Sequence, residues 1–216
     1  MQPPGEMRHE RKRIIERERK RRGHFGGEVF NLAPVALTAK LEGLAAARAA
    51  FATADNMTEE LGALGILLEN SDGQHELATF YDRWSGERLV MDKWFGQQIL
   101  LSDPDETVKL TDQLTRHALF EWKNPNRFRS VIGALAGNHA GFHHASGAGY
   151  ALLADWLIRL DPLNPQTAAR MSTAFETWTR YDAGRQIHAR SALARIKATP
   201  ALSRDLGEMV ERMLGA

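Results

Sequence analysis

The sequence contains no cysteine, which excludes disulfides, thiolate nucleophiles and thiolate metal sites and fits the cytosol. It has almost no net charge: 28 Lys and Arg stand against 27 Asp and Glu, so nothing draws the chain as a whole to nucleic acid or an anionic membrane. Long apolar runs are missing too. The stretch Ala148–Ile158 is broken by Gly149 and Asp155 and is too short to span a bilayer. The charged N-terminal region is not followed by the apolar stretch of a signal peptide, so a soluble chain is expected. No strand-like alternation is bounded by hairpin turns, no glycine loop is built to cradle phosphate, and no serine sits in a nucleophile elbow. What is present is 216 residues with 43% hydrophobic content, enough to bury the core of one domain with an appendage.

Two regions differ in character. Residues 1–33 contain the run Arg8–Arg22, in which nine Lys and Arg face three Glu and only Ile14 and Ile15 are apolar. Glu16/Lys20 and Glu18/Arg22 are i,i+4 pairs, so the reading is a basic arm that is a single exposed helix or a flexible tail, with Gly23, Gly26 and Gly27 as a joint. The interleaved glutamates argue against nucleic-acid binding. From residue 34 to 216 the pattern is helical. Leu41, Leu44, Ala45, Phe51 and Ala52 follow a 3.6-residue period, with Arg48 the polar member of the stripe. Asn56 with Glu59 reads as a capping box for a helix carrying Leu61, Leu64, Leu67 and Leu68. Leu206, Met209, Val210, Met213 and Leu214 make one stripe of a last helix. Asp103-Pro104, Asn124-Pro125, Asn164-Pro165 and Thr199-Pro200 each place a capping residue before proline and predict four helix starts. The fold class expected is all-α. Helix starts at Pro125 and Pro165, with a further helix near Gly149–Asp161, give a repeat of about 40 residues, the size of a HEAT or armadillo-like pair. An irregular helical-repeat superhelix is the expectation, with a plain helical bundle as the other possibility.

Candidate chemistry is sparse. His75-Glu-Leu-Ala-Thr79 starts like a zinc-peptidase motif, but Thr79 stands where the second histidine is needed, and a surface His-Glu pair is the preferred reading. His139, His143 and His144 lie in a segment with glycines at 137, 141 and 147 and no carboxylate, so a loop that caps neighbouring helices is favoured over a metal site or an unrecognised hydrolase centre. Arg127 and Arg129 fall at the start of the Pro125 helix, where cations oppose the helix dipole. Something should compensate: an ion pair with Asp92 or Glu121, or a ligand carboxylate or carbonyl. The five tryptophans, with Phe80, Phe95, Phe128, Phe142 and Phe175, read as core.

Five strings occur in a distinctive order: Asp55–Leu61, Val90-Met-Asp-Lys-Trp-Phe95, Asn124-Pro-Asn-Arg-Phe-Arg129, Phe142–Tyr150 and Arg180-Tyr-Asp182. From about Ala47 onward the chain resembles the C-terminal domain of bacterial aminopeptidase N, the alanyl aminopeptidase of the M1 zinc metallopeptidases. The resemblance implies a helical superhelix that closes a substrate chamber over a catalytic domain. That domain and an N-terminal one would be its partners, normally in cis, with short peptides as the ligands. It implies that Arg129 and Arg170 project into the chamber. It also implies zinc in the full-length family and none in this chain, because the HExxH helix, the distal Glu ligand, the Gly-Ala-Met-Glu-Asn loop and the transition-state tyrosine do not occur here. The chain alone is then expected to be inactive and cytoplasmic, with neither nucleic acid nor membrane as a partner. The abrupt change near residue 33 suggests a truncated or frame-shifted reading. A free-standing helical scaffold that binds a peptide or protein is the other expectation.

Overall fold

The computed structural model describes residues 33–215, with side chains from residue 40; the basic arm at 8–22, with its i,i+4 pairs, lies outside the described residues. Contacts divide the chain within its first helix, between Glu42 and Gly43, with Gly43–Ala216 as one compact unit. Among the described residues every regular element is helical. α1 (Ala33–Thr53), α2 (Met57–Glu69), α3 (Gln74–Trp84), α4 (Arg88–Leu100) and α5 (Thr107–Leu114) come first. A long irregular helix follows, made of α6 (Pro125–Phe128), a π turn at Arg129–Gly133 and α7 (Ala134–Gly137). Then come α8 (His139–Phe142), α9 (Ala148–Leu160), α10 (Pro165–Ser172), two 3₁₀ turns at Thr173–Phe175 and Trp178–Arg180, α11 (Ala183–Lys197) and α12 (Arg204–Leu214).

Capping explains several starts. Asn56 accepts from the backbone N–H of Thr58 and Glu59, satisfying two of α2's free donors. Glu59 itself is exposed, so the cap rests on Asn56. Asn124 accepts from Asn126 and Arg127, and Asn164 from Thr167, each just before a proline at the first helical position, as expected. The other two proline starts need correcting. Asp103-Pro104 opens a turn in which Asp103 accepts from Asp105 N–H, and the helix begins later at Thr107. Thr199-Pro200 lies in the turn after α11, and α12 starts at Arg204 under a Ser203 cap. The reason is local: Asp103 and Thr199 spend their hydrogen bonds on turns, and the Thr199 hydroxyl donates back to Arg195 O.

Neighbouring helices in the chain pack on one another. α2 lies against α3 and α4, α4 against the π turn and α7, α9 against α10 and α11, and α12 against both α10 and α11. One continuous core runs through these pairs, from Phe51 and Leu64 to Leu206 and Val210, with Tyr150, Phe80, Phe95, Phe128, Phe142 and Phe175 fully buried. Each such side chain contributes roughly 1.5–3 kcal/mol of burial. In α1 the stripe is narrower than its sequence period: Leu44, Ala47 and Phe51 are buried, while Ala45 and Ala52 are exposed. Arg48 pairs with Asp72 and Glu76.

Candidate functional site

The strings singled out in the sequence meet one another. Arg127, nearly sealed from water, sets its Nε 3.2 Å from Asp92 Oδ1, donates from Nη2 to Arg88 O at 3.2 Å, and lies 5.0 Å from the Phe95 ring centroid. Burial lowers its pKa from the ordinary value and Asp92 works against that shift. Of the alternatives for Arg127, the ion pair to Asp92 is the one formed, and Glu121 goes to Arg88 instead. The Asn124–Arg129 string is thereby clamped to the Val90–Phe95 string on α4.

The Phe142–Tyr150 string meets Arg180-Tyr-Asp182 in the same way. His143 is buried, exchanges a hydrogen bond with the Tyr150 hydroxyl at 2.8 Å, and stacks on Tyr181 with ring centroids 4.0 Å apart. Its carbonyl accepts from Arg185 Nε at 2.5 Å. Asp182 caps α11 through Arg185 N–H and pairs with the Arg185 guanidinium. Desolvation, then the nearby His139 and Arg185, push His143 down to about 4, and burial pushes Tyr150 up to about 12. A neutral, buried imidazole bonded to Tyr150 and stacked on Tyr181 is a joint rather than a base. His144 faces Asp105 at 3.1 Å and Ser146 at 3.0 Å, and His139 is exposed. Sequence reasoning missed Tyr181 and Arg185 as partners of this loop. The Arg180-Tyr-Asp182 string was the available signal, but its contacts are too distant in sequence to be read from it.

The exposed candidates are different. Arg129 and Arg170 are both on the surface, and no carboxylate among the described residues pairs with either. Arg129 donates only to the Asn126 side-chain carbonyl, at 2.6 Å. Nine of the other described arginines have a carboxylate within 4.0 Å, whereas Arg159, Arg180 and Arg190 share the lack of one, with Arg159 and Arg190 set over tryptophan rings instead. Arg129 opens the π turn, a local insertion that shifts the aim of the side chains that follow. Gly133, which ends that turn, has the Arg129 Cβ on one side and the Met171 Cε on the other, at 3.5 and 3.6 Å from where its own Cβ would lie. Met171, which follows Arg170 directly, thus reaches the π turn from α10. Among the described residues neither guanidinium is compensated by a carboxylate, and a guanidinium in that state can form charge-assisted hydrogen bonds to an anionic or carbonyl group.

No cluster of three His, Asp or Glu that could hold a metal ion is present among the described residues. Glu76, next to His75 on α3, is buried and taken up by Arg48, so that pair is half structural instead of wholly a solvated surface feature. None of these side chains fits the family's zinc. No helix among the described residues is long and apolar enough to cross a membrane.

Comparison with known proteins agrees with this layout. Residues 29–215 match a family described as a domain of unknown function (DUF3458_C) made of ARM repeats. The chain is similar to aminopeptidase N of Haemophilus influenzae, 40% identical over 164 residues, covering 74% of this chain and 19% of the relative. Aminopeptidase N of Caulobacter vibrioides is 39% identical over 177 residues, covering 81% and 20%. The enzyme of Escherichia coli is 38% identical over 167 residues, covering 76% and 19%. Among solved structures, Legionella pneumophila aminopeptidase A in complex with aspartic acid superposes with a TM-score of 0.74 at 31% identity, over 80% of this chain and 20% of that one. The chain therefore spans about a fifth of the length of the curated relatives it matches.

Proposed function

Because the chain belongs to the ARM-repeat family that forms the C-terminal part of aminopeptidase N, we propose that it acts as the helical cap of an aminopeptidase substrate chamber. In that role it contacts peptides through Arg129 and Arg170 and leaves peptide-bond hydrolysis to zinc-bearing parts of the enzyme. The observation that carries the reading is the pair of exposed arginines, Arg129 and Arg170, that have no carboxylate partner among the described residues, with Gly133 between Arg129 and Met171. A charge left open in this way is free for charge-assisted hydrogen bonds to a peptide carbonyl or carboxylate. Zinc activation of water needs three protein ligands and an open position. In this proposal those ligands belong to the catalytic domain, which together with the N-terminal domain is the chain's partner in cis. The cysteine-free composition fits a cytoplasmic enzyme, and the same proposal treats residues 1–33 as an arm outside the working domain.

The test has two parts. Purified full chain with added zinc should not hydrolyse an alanyl chromogenic substrate; hydrolysis that disappears in Arg129→Ala would overturn the proposal. Mixed with an aminopeptidase N truncated before its C-terminal domain, the chain should bind and change its peptidase kinetics. In that complex Arg129→Ala and Arg170→Ala should each raise KM for peptides about 3- to 30-fold with little change in kcat, as loss of one charged hydrogen bond predicts. Failure to bind the truncated enzyme, with capture of an unrelated peptide instead, would favour a free-standing helical scaffold.

A further inference from the structure

A second recess, built from elements other than those carrying Arg129 and Arg170, has a different chemistry. It lies between α3, α4 and the segment after α5, holds about 280 Å³, and is lined by Leu77, Tyr81 and Trp94, by His117, and at its rim by Gln74 and Asp82. The three rings touch pairwise: Tyr81 to Trp94 at 5.1 Å, Tyr81 to His117 at 5.5 Å and Trp94 to His117 at 5.5 Å between centroids. Two of them are pinned. Trp94 Nε1 donates to Leu77 O at 3.3 Å, and His117 Nδ1 accepts from Leu119 N–H at 3.1 Å, which leaves the imidazole proton on Nε2 in the neutral ring. Burial, and after it the charge of Arg127, lowers the His117 pKa, so the ring does not add a positive charge to the recess at neutral pH. Arg127 is itself offset by Asp92.

The charge at the rim has one sign. Asp82 is exposed and has no hydrogen-bond or ion-pair partner among the described residues, while the other ionic groups of α3 are taken: Glu76 by Arg48, and Arg83 by Glu60. An aromatic recess beside a free carboxylate suits a cation on an apolar stem, since ring faces attract a cation and the carboxylate adds direct pairing. The Gln74 amide beside them offers both a donor and an acceptor, which a peptide group can use and a bare ammonium ion cannot. We propose that this recess binds the arginine or lysine side chain of a peptide, its stem on Tyr81 and Trp94 and its charge on Asp82. The site is open and small, so binding is weak, with Kd in the millimolar range.

The probe is a blocked tripeptide with arginine at its centre, titrated into the full ¹⁵N-labelled chain while the Trp94 indole and Asp82 amide resonances are followed by NMR. Saturable shifts of both are expected. Asp82→Asn, at an exposed position that leaves the core alone, should weaken binding about three- to tenfold, and Tyr81→Leu should weaken it as well. The same peptide with glutamate at its centre should not bind. Absence of saturable shifts, equal affinity in Asp82→Asn, or equal binding of the glutamate peptide would each overturn the proposal. Free arginine or tetramethylammonium binding as tightly as the peptide would also overturn it, because the recess would then be a small-cation site.

Discussion

Arg127 and Asp92 form an ion pair that is almost closed to water, with side-chain exposures of 5% and 18%. Removing only the carboxylate strands a buried guanidinium, so Asp92→Ala should cost about 3–5 kcal/mol in urea unfolding. The double variant Asp92→Ala/Arg127→Met should recover most of that loss, because exchanging a buried pair for apolar groups is often neutral. His143 gives a pH prediction. Its folded pKa of about 4 lies below the ordinary 6.5, so between these values the unfolded chain takes up a proton that the folded chain refuses. Stability should be fully present above pH 6.5 and fall as the pH drops toward 4, by on the order of 2–3 kcal/mol, with most of that slope absent in His143→Gln. Gly147 has φ +70°, and a Cβ there would run into the His188 ring, so Gly147→Ala should lose about 2 kcal/mol or more in thermal or urea unfolding. Of these residues, Arg127 was legible in the sequence as a cation needing compensation, although the choice of Asp92 over Glu121 was not. Gly147 was visible there only as one of the glycines that interrupt the histidine segment, because the crowding comes from His188, about forty residues further on.

The Pro125 helix shows how far local rules reach. Proline at the first helical position and Asn124 before it locate its start, and Asn124→Ala should cost about 1 kcal/mol by freeing two backbone donors. The same rule misplaces the starts after Asp103 and Thr199, where side chains capable of capping a helix serve turns instead. The π turn at Arg129–Gly133 has no sequence signature at all. It forms where the helix is held at two ends: Arg127 to α4, and Asn138 to the last turn of α4 through Ile99 O and to the α4–α5 connection through Ser102 O. Two fixed anchors leave the extra residue to be absorbed between them, and Arg129 lies at that point. The aromatic helices were easier to read. Phe80, Phe95, Phe128, Phe142 and Phe175 are all fully buried, because their size leaves them few other places in a chain of this length.

Among the described residues, five large apolar side chains remain on the surface: Ile66, Leu89, Leu100, Leu163 and Ile187, with Leu89 70% and Ile187 68% exposed. In the proposed role of a helical cap this surface would face neighbouring domains, so the isolated chain should self-associate as concentration rises. Light scattering should then give a mass above 24.2 kDa at high concentration. A monodisperse monomer under those conditions would count against a missing apolar contact.

The sequence by itself determined the helical class, the aromatic core, the family and the absence of its zinc motifs, because periodicity, capping residues and ordered strings are local properties that survive without coordinates. Tertiary structure decided the roles of those strings. Arg127 and His143 are joints held by Asp92, Tyr150 and Tyr181, whereas Arg129 is left exposed with no carboxylate partner among the described residues, and two of these joints span 35 and 38 residues. Neither the partner of a buried charge nor the absence of a partner for an exposed one can be read until the helices have packed.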